Sequence, residues 1–148
     1  MLRRTTLVTL AAALFTTVVF ALPRTEADAS QTGTPAANPD SWQIPPNAAE
    51  EKNPVAVSDK VLAQGKGLYG SKCQRCHGPA GKGDGPDADP GAMPDDLSNP
   101  ARAARNPDGV LFYKVWNGRK KPKMPAFKSE MTKDEVWTLV HYVKTLRK

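Results

Sequence analysis

The chain has 148 residues, 39% of them hydrophobic, which suits one small domain with appendages and excludes two full domains. Glycine and proline number 11 and 14, so turns and loops take a large share of the chain, and two cysteines three positions apart exclude a disulfide scaffold. The formal charge of +6 lies entirely at the C-terminal end: residues 1–118 hold 12 basic and 12 acidic side chains, and residues 119–148 hold 9 and 3.

In chain order, Arg3 and Arg4 precede an uncharged, mostly apolar run from Thr5 to Leu22, the layout of a secretory signal. Val19-Phe20-Ala21 and Ala27-Asp28-Ala29 both offer cleavage sites, and residues 1–29 are assigned to this leader. The expected location is therefore outside the cytoplasm, in the periplasm. Left uncleaved, a run of about 18 residues sits at the lower limit for a membrane span, which makes an anchor the alternative. Residues 30–54 change to Ala, Pro, Asn, Thr and Ser without a hydrophobic period and read as a linker. Within it, Trp42-Gln43-Ile44-Pro45-Pro46 offers two apolar anchors on stiff, extended backbone, expected to dock on the folded domain.

The domain expected over residues 55–148 opens with a helix capped by Ser58, whose Val61, Leu62, Gly65, Leu68 and Tyr69 share one face. Gly65 and Gly67 each cost about 1 kcal/mol in a helix interior, which predicts a second helix crossing closely at both. A short helical turn is expected over 98–104, and a helix from Asp108 as N-cap to Asn117, stopped by Gly118. Thr132 and Glu135 form a capping-box pair ahead of Val136, Leu139, Val140, Val143 and Leu146 at helical spacing. No stretch alternates with period two, so the fold class is all-α with long loops. The loop over 78–97 is long enough to require an organising group.

Cys73-Gln74-Arg75-Cys76-His77 carries the chemistry. Two thiols at this spacing add to the two vinyl groups of a haem, and the adjacent histidine reaches the iron. A redox dithiol needs a thioredoxin-like βαβ context that the sequence lacks. Zinc needs four ligands, and the candidates are Cys73, Cys76, His77 and His141. His141 sits between Val140 and Val143 and reads as a packing or surface residue. For a sixth iron ligand the thioether of methionine favours electron transfer. Met124, in Lys123-Met124-Pro125-Ala126-Phe127 between two helices, is the first candidate and Met93, before Pro94, the second. Met131, directly before the helix cap, reads as a staple residue. Trp116 and Trp137 are expected in the haem pocket and at a helix contact, respectively.

These residues resemble the class I c-type cytochromes of the single-haem bacterial type, over about residues 55–148. Gly65 and Tyr69 match the family's glycine and aromatic at its N-terminal helix crossing, and Gly85-Pro86 matches the Gly-Pro that follows the haem motif. Asp108 to Phe112 through Asn117-Gly118 and Met124 to Phe127 match its third helix and methionine loop, and Glu135 to Val143 its last helix. The resemblance implies a cytochrome c fold of about three main helices and long loops around one covalently bound haem c per chain. It implies His77 and Met124 as axial ligands, and the Pro86 carbonyl as acceptor of the proton on the ligand histidine.

The function so implied is one-electron transfer between redox partner proteins by a monomer, not an enzyme in itself, though able to serve as a subunit of an oxidoreductase. Arg119, Lys120, Lys121 and Lys123, just before Met124, are expected to steer acidic partners. No nucleic-acid motif accompanies the basic patch, and membrane contact is expected only with an uncleaved leader. A gas-binding haem sensor with a labile methionine is the competing class.

Overall fold

Ser58 Oγ accepts the Val61 N–H at 3.2 Å and starts α1, Asp59–Lys72. Cys73 closes α1 and opens a single turn, α2, Gln74–His77, which ends at Gly78 with φ +74°. The computed structural model describes residues 40–147, all within one compact unit, Thr34–Lys148. The leader and residues 30–39 of the linker lie outside the described residues. A long loop follows α2, and then the Asn99 side chain caps α3, Pro100–Ala104, by accepting from the Ala101 and Arg102 amides.

Helix α4 covers Asp108–Asn117, with Pro107 at its N-cap. Asp108 is thus the first helical residue and not the expected cap. Its carboxylate is engaged across the fold by Lys144 Nζ at 2.8 Å, while its charge still suits the positive end of the helix. Gly118, with φ +62°, stops α4, and a Cβ there would stand 2.5 Å from the Met124 carbonyl. Helix α5, Lys133–Thr145, carries the full capping box: the Thr132 hydroxyl accepts the Glu135 N–H, and the Glu135 carboxylate accepts the Thr132 N–H. Among the described residues there are helices and no strand, and no helix is long and apolar enough to cross a membrane.

The core forms where α5 packs on α1 and α4. Val136, Leu139, Val140 and Val143 of α5 meet Tyr69 of α1 and Leu111, Phe112 and Val115 of α4. Phe112 stacks on Trp137 at 4.3 Å and on Trp116 at 5.7 Å between ring centroids. Gly65 marks the α1–α5 crossing, since a Cβ there would stand 2.7 Å from the Thr138 carbonyl and 2.8 Å from Tyr142 Cβ. Gly67 differs from expectation: it is exposed, with nothing within 4 Å of such a Cβ. The helix period turns it away from the crossing, so its lack of a side chain serves no contact.

Residues 42–55 run against this core. Trp42 lies between Lys114 Nζ, at 5.0 Å, and the Arg119 guanidinium, at 4.2 Å from the ring centroid. Asn117 Nδ2 donates to the Gln43 carbonyl, Glu51 accepts from the Tyr113 hydroxyl, and Asn53 Nδ2 donates to the Trp137 carbonyl at 2.8 Å. Ala48 is fully buried.

Candidate functional site

In the turn that continues α1, Cys76 and His77 bond back to the Cys73 carbonyl through their amides, at 3.1 and 2.9 Å. Positions i, i+3 and i+4 of one helical turn share a face, and Cys73, Cys76 and His77 accordingly line a single cleft. The loop after this turn is fastened to it. The Gly85 and Asp87 amides donate to the Cys76 and Arg75 carbonyls, and Arg75 pairs with Asp87 through two hydrogen bonds at 2.6 and 3.1 Å. Tyr69, 1% exposed, donates its hydroxyl to the Gly78 carbonyl at 2.7 Å, so the turn is held at both ends.

The cleft has a cavity volume of about 150 Å³ and an open mouth. Its walls are Leu97, Leu111, Val115 and Phe127 with Leu139, Val140 and Val143 of α5, an apolar surround. Met124 lines the same cleft. It is presented by a short loop closed by paired hydrogen bonds, Arg119 N–H to the Met124 carbonyl at 2.8 Å and Met124 N–H to the Arg119 carbonyl at 2.9 Å. The Phe127 amide ties the far side of the loop to the Val115 carbonyl. Met93 is 54% exposed and stands outside the cleft, although Ala92 and Pro94 line it. Met131 is buried in the core together with Val136, one turn into α5, as a staple residue requires. Trp116, expected in the pocket, instead packs on Phe112 outside the cleft lining.

Electrostatics separate the possible chemistries. Burial, helped by the neighbouring Cys76, pushes the Cys73 thiol up to about 12, the reverse of the depressed value of a redox-active dithiol. Among the described residues no three His, Cys, Asp or Glu side chains converge on a possible metal site. His141 Nε2 bonds the Val55 carbonyl at 2.7 Å, which removes the fourth ligand that zinc needs. Burial also pushes the His77 imidazole below its ordinary value, opposed by the backbone and charge of Asp95, so the ring is neutral at pH 7 with a lone pair able to ligate.

His77 Nδ1 is buried, with no hydrogen-bond partner among the described residues. Pro86, expected to supply the acceptor, is exposed as a residue, and the backbone of Asp95 also approaches the imidazole. The chain that approaches the ring is the 94–97 segment, drawn in by the Leu97 amide bonding the Gly81 carbonyl at 2.7 Å. Two thiols, a neutral imidazole and a thioether around one apolar cleft are the donor set of a haem attached through both cysteines, and the residues fit that group.

Comparison with known proteins supports the same chemistry. The family described as cytochrome c oxidase, cbb3-type, subunit III, matches residues 60–143. A solved structure described as KustC0563 c-type cytochrome aligns with a TM-score of 0.51 and 28% identity, over 57% of this chain and 98% of its own. The Kuenenia stuttgartiensis reducing HAO-like protein complex Kustc0457/Kustc0458 aligns with a TM-score of 0.50 and 26% identity, over 64% of this chain and 47% of the other. No curated protein matches the sequence. With the family match spanning more than half of the chain and all of the attachment turn, the chain belongs to the cbb3-type cytochrome c oxidase subunit III family and is a c-type cytochrome, a haem protein of electron transfer.

Proposed function

We propose that the chain is a periplasmic one-electron carrier holding one haem c, with His77 and Met124 as its axial ligands. The observation that carries this reading is the convergence of Cys73, Cys76, His77 and Met124 on one apolar cleft that excludes Met93. Iron held there supplies reversible exchange of one electron between Fe(II) and Fe(III). The cysteine thiols anchor the group covalently, and the neutral imidazole of His77 offers its lone pair. Met124 is positioned by the Arg119 bridge, and the Leu and Val walls exclude water. No acid or base acts in such a reaction, and the chain needs only to keep both ligands in place through each cycle.

Lys120, Lys121 and Lys123 are exposed beside Met124 and supply the positive field that draws acidic redox partners. Arg119 is engaged with Trp42 and with the Pro122 carbonyl, and serves the loop more than the partner. A second reading is favoured by the Kuenenia neighbour, which belongs to a protein complex: the domain then works as the electron-handling subunit of an oxidoreductase, and a catalytic partner co-purifies with it.

Absorption spectroscopy of the exported protein tests the ligation. The expected result is a low-spin haem c spectrum with the weak far-red sulfur-to-iron band in the ferric form, lost in Met124→Ala. A high-spin ferric spectrum, or carbon monoxide binding to the reduced native protein, overturns His/Met ligation in favour of gas binding. Cell fractionation tests the location, and haem recovered in the cytoplasmic fraction overturns it.

A further inference from the structure

Lys114 and Arg147 are among the cations that line the cleft without a role in the reading above. Lys114 extends from α4, and Arg147 lies just beyond the end of α5. Both converge on Asn106: Lys114 Nζ donates to its Oδ1 at 2.6 Å, and Arg147 Nη2 donates to its carbonyl at 3.1 Å. Asn106 is neutral and balances neither charge. Arg147 Nε is buried, with no hydrogen-bond partner among the described residues.

The carboxylates close enough to act on these cations are already engaged. Asp108 is paired with Lys144 at 2.8 Å, and Asp95 is paired with Arg102. Each pair is neutral as a unit, so neither Lys114 nor Arg147 has a carboxylate of its own. Burial pushes the Lys114 amine below its ordinary value, with Asp95 opposing, and burial likewise acts on Arg147, with Asp108 opposing. The Trp42 ring near Lys114 offers a cation–π contact but no countercharge. A guanidinium stays charged in proteins, and a desolvated cation is costly without an anion. The haem that Cys73 and Cys76 attach through its vinyl groups carries two carboxylates of its own, the countercharge these cations lack.

We propose that Lys114 and Arg147, gathered on Asn106, form the site that holds the haem propionates. Arg147 offers its unpartnered Nε–H as part of a planar fork suited to a carboxylate, and Lys114 acts as a point charge. The proposal rests on covalent haem binding at Cys73 and Cys76. It adds two positioning residues that hold the group at the carboxylate edge.

The test uses the full-length holoprotein with Arg147→Leu, Lys114→Gln and the conservative Arg147→Lys. Covalent haem content, propionate-bending bands in resonance Raman spectra, and reduction potential are measured for each. The expected result is full haem content with shifted propionate bands in Arg147→Leu and in Lys114→Gln, and a lower potential in both, because a lost positive charge favours the ferric form. Arg147→Lys restores most of both properties. Unshifted bands at full haem content overturn the proposal, including where the variant is less stable, since a packing role leaves the propionate bands in place. If Arg147→Leu does not fold, Lys114→Gln and Arg147→Lys carry the same readouts. A parent protein without covalent haem overturns the underlying haem reading, an outcome distinct from unshifted bands.

Discussion

Tyr69 and Gly78 are joined by a 2.7 Å hydrogen bond from phenol to carbonyl, which spans the whole ligand-bearing turn from the last turn of α1 to the residue that ends α2. Burial holds the phenol protonated and therefore donating. The relative position of Cys73, Cys76 and His77 thus depends on a side chain four residues before the first of them. Tyr69→Phe keeps the ring contact with Tyr142 at 5.3 Å and removes the donor. The Gly78 carbonyl also accepts from the Gly81 amide at 3.2 Å, so the expected loss is about 1 kcal/mol. Urea unfolding of the two holoproteins checks it, and equal midpoints exclude the role.

The two glycines of α1 respond in opposite senses to alanine. Gly65→Ala drives a methyl into the Thr138 carbonyl and Tyr142 Cβ, forces α1 and α5 apart, and is expected to destabilise by at least 2 kcal/mol. Gly67→Ala meets open space and gains helix propensity, with an expected stabilisation of about 1 kcal/mol. Thermal denaturation of both variants decides the matter: a shift of the same sign in both contradicts the crossing geometry.

Phe112 lies between Trp116 and Trp137, 4% exposed. Its truncation to alanine removes both ring contacts and leaves a cavity between α4 and α5, with an expected cost of about 3–5 kcal/mol. Phe112→Leu recovers part of this loss. Chemical denaturation distinguishes the two variants, and equal stability of both argues against the stacking.

Glu135 makes the acid stability of α5 pH-dependent. Hydrogen bonds from the Thr132 backbone and hydroxyl hold its carboxyl below the ordinary glutamate value. A depressed folded-state value contributes stability above the unfolded value, about 4.3, and loses it as pH falls through the folded one. The stability difference between the parent and Glu135→Gln is therefore largest near neutrality and shrinks below about pH 4. Urea midpoints measured at pH 6 and pH 3 give the two differences. A constant gap shows that the capping carboxylate titrates alike in both states.

Replacing Lys120, Lys121 and Lys123 by glutamine is expected to slow bimolecular electron exchange with an acidic partner at low ionic strength and to flatten its salt dependence. Stopped-flow rates over a salt series measure this effect. A parent rate that is insensitive to salt removes the steering role.

Local chemistry made much of the helical framework legible. The Thr132–Glu135 box, the Ser58 cap, the Gly118 stop and the spacing of Cys73, Cys76 and His77 all act within four or five residues, and the sequence displays them directly. Assignments that depend on tertiary approach were harder to read. Asp108 looks like a cap until Lys144, 36 positions away, engages it. Trp116 fits a pocket by residue type, yet the cleft forms on another side of α4 and leaves it packed one turn back on Phe112. The approach of the 94–97 segment to the imidazole, through the Leu97 amide on the Gly81 carbonyl, has no local signal. Lys114 and Arg147 are 33 positions apart and share no motif; only the folding of α4 and α5 onto Asn106 brings them together.

The α1–α5 crossing at Gly65 also has a consequence for the order of assembly. Its two helices are separated by some sixty residues of chain, so the contact closes at the entropic cost of a long loop. A chain made from its N-terminus presents Cys73, Cys76 and His77 well before Thr138 and Tyr142 exist. During that interval Cys73, half-buried in the finished domain, is fully accessible, so covalent attachment is easiest before the domain closes. A variant that hastens α1–α5 docking would therefore lower the maturation yield.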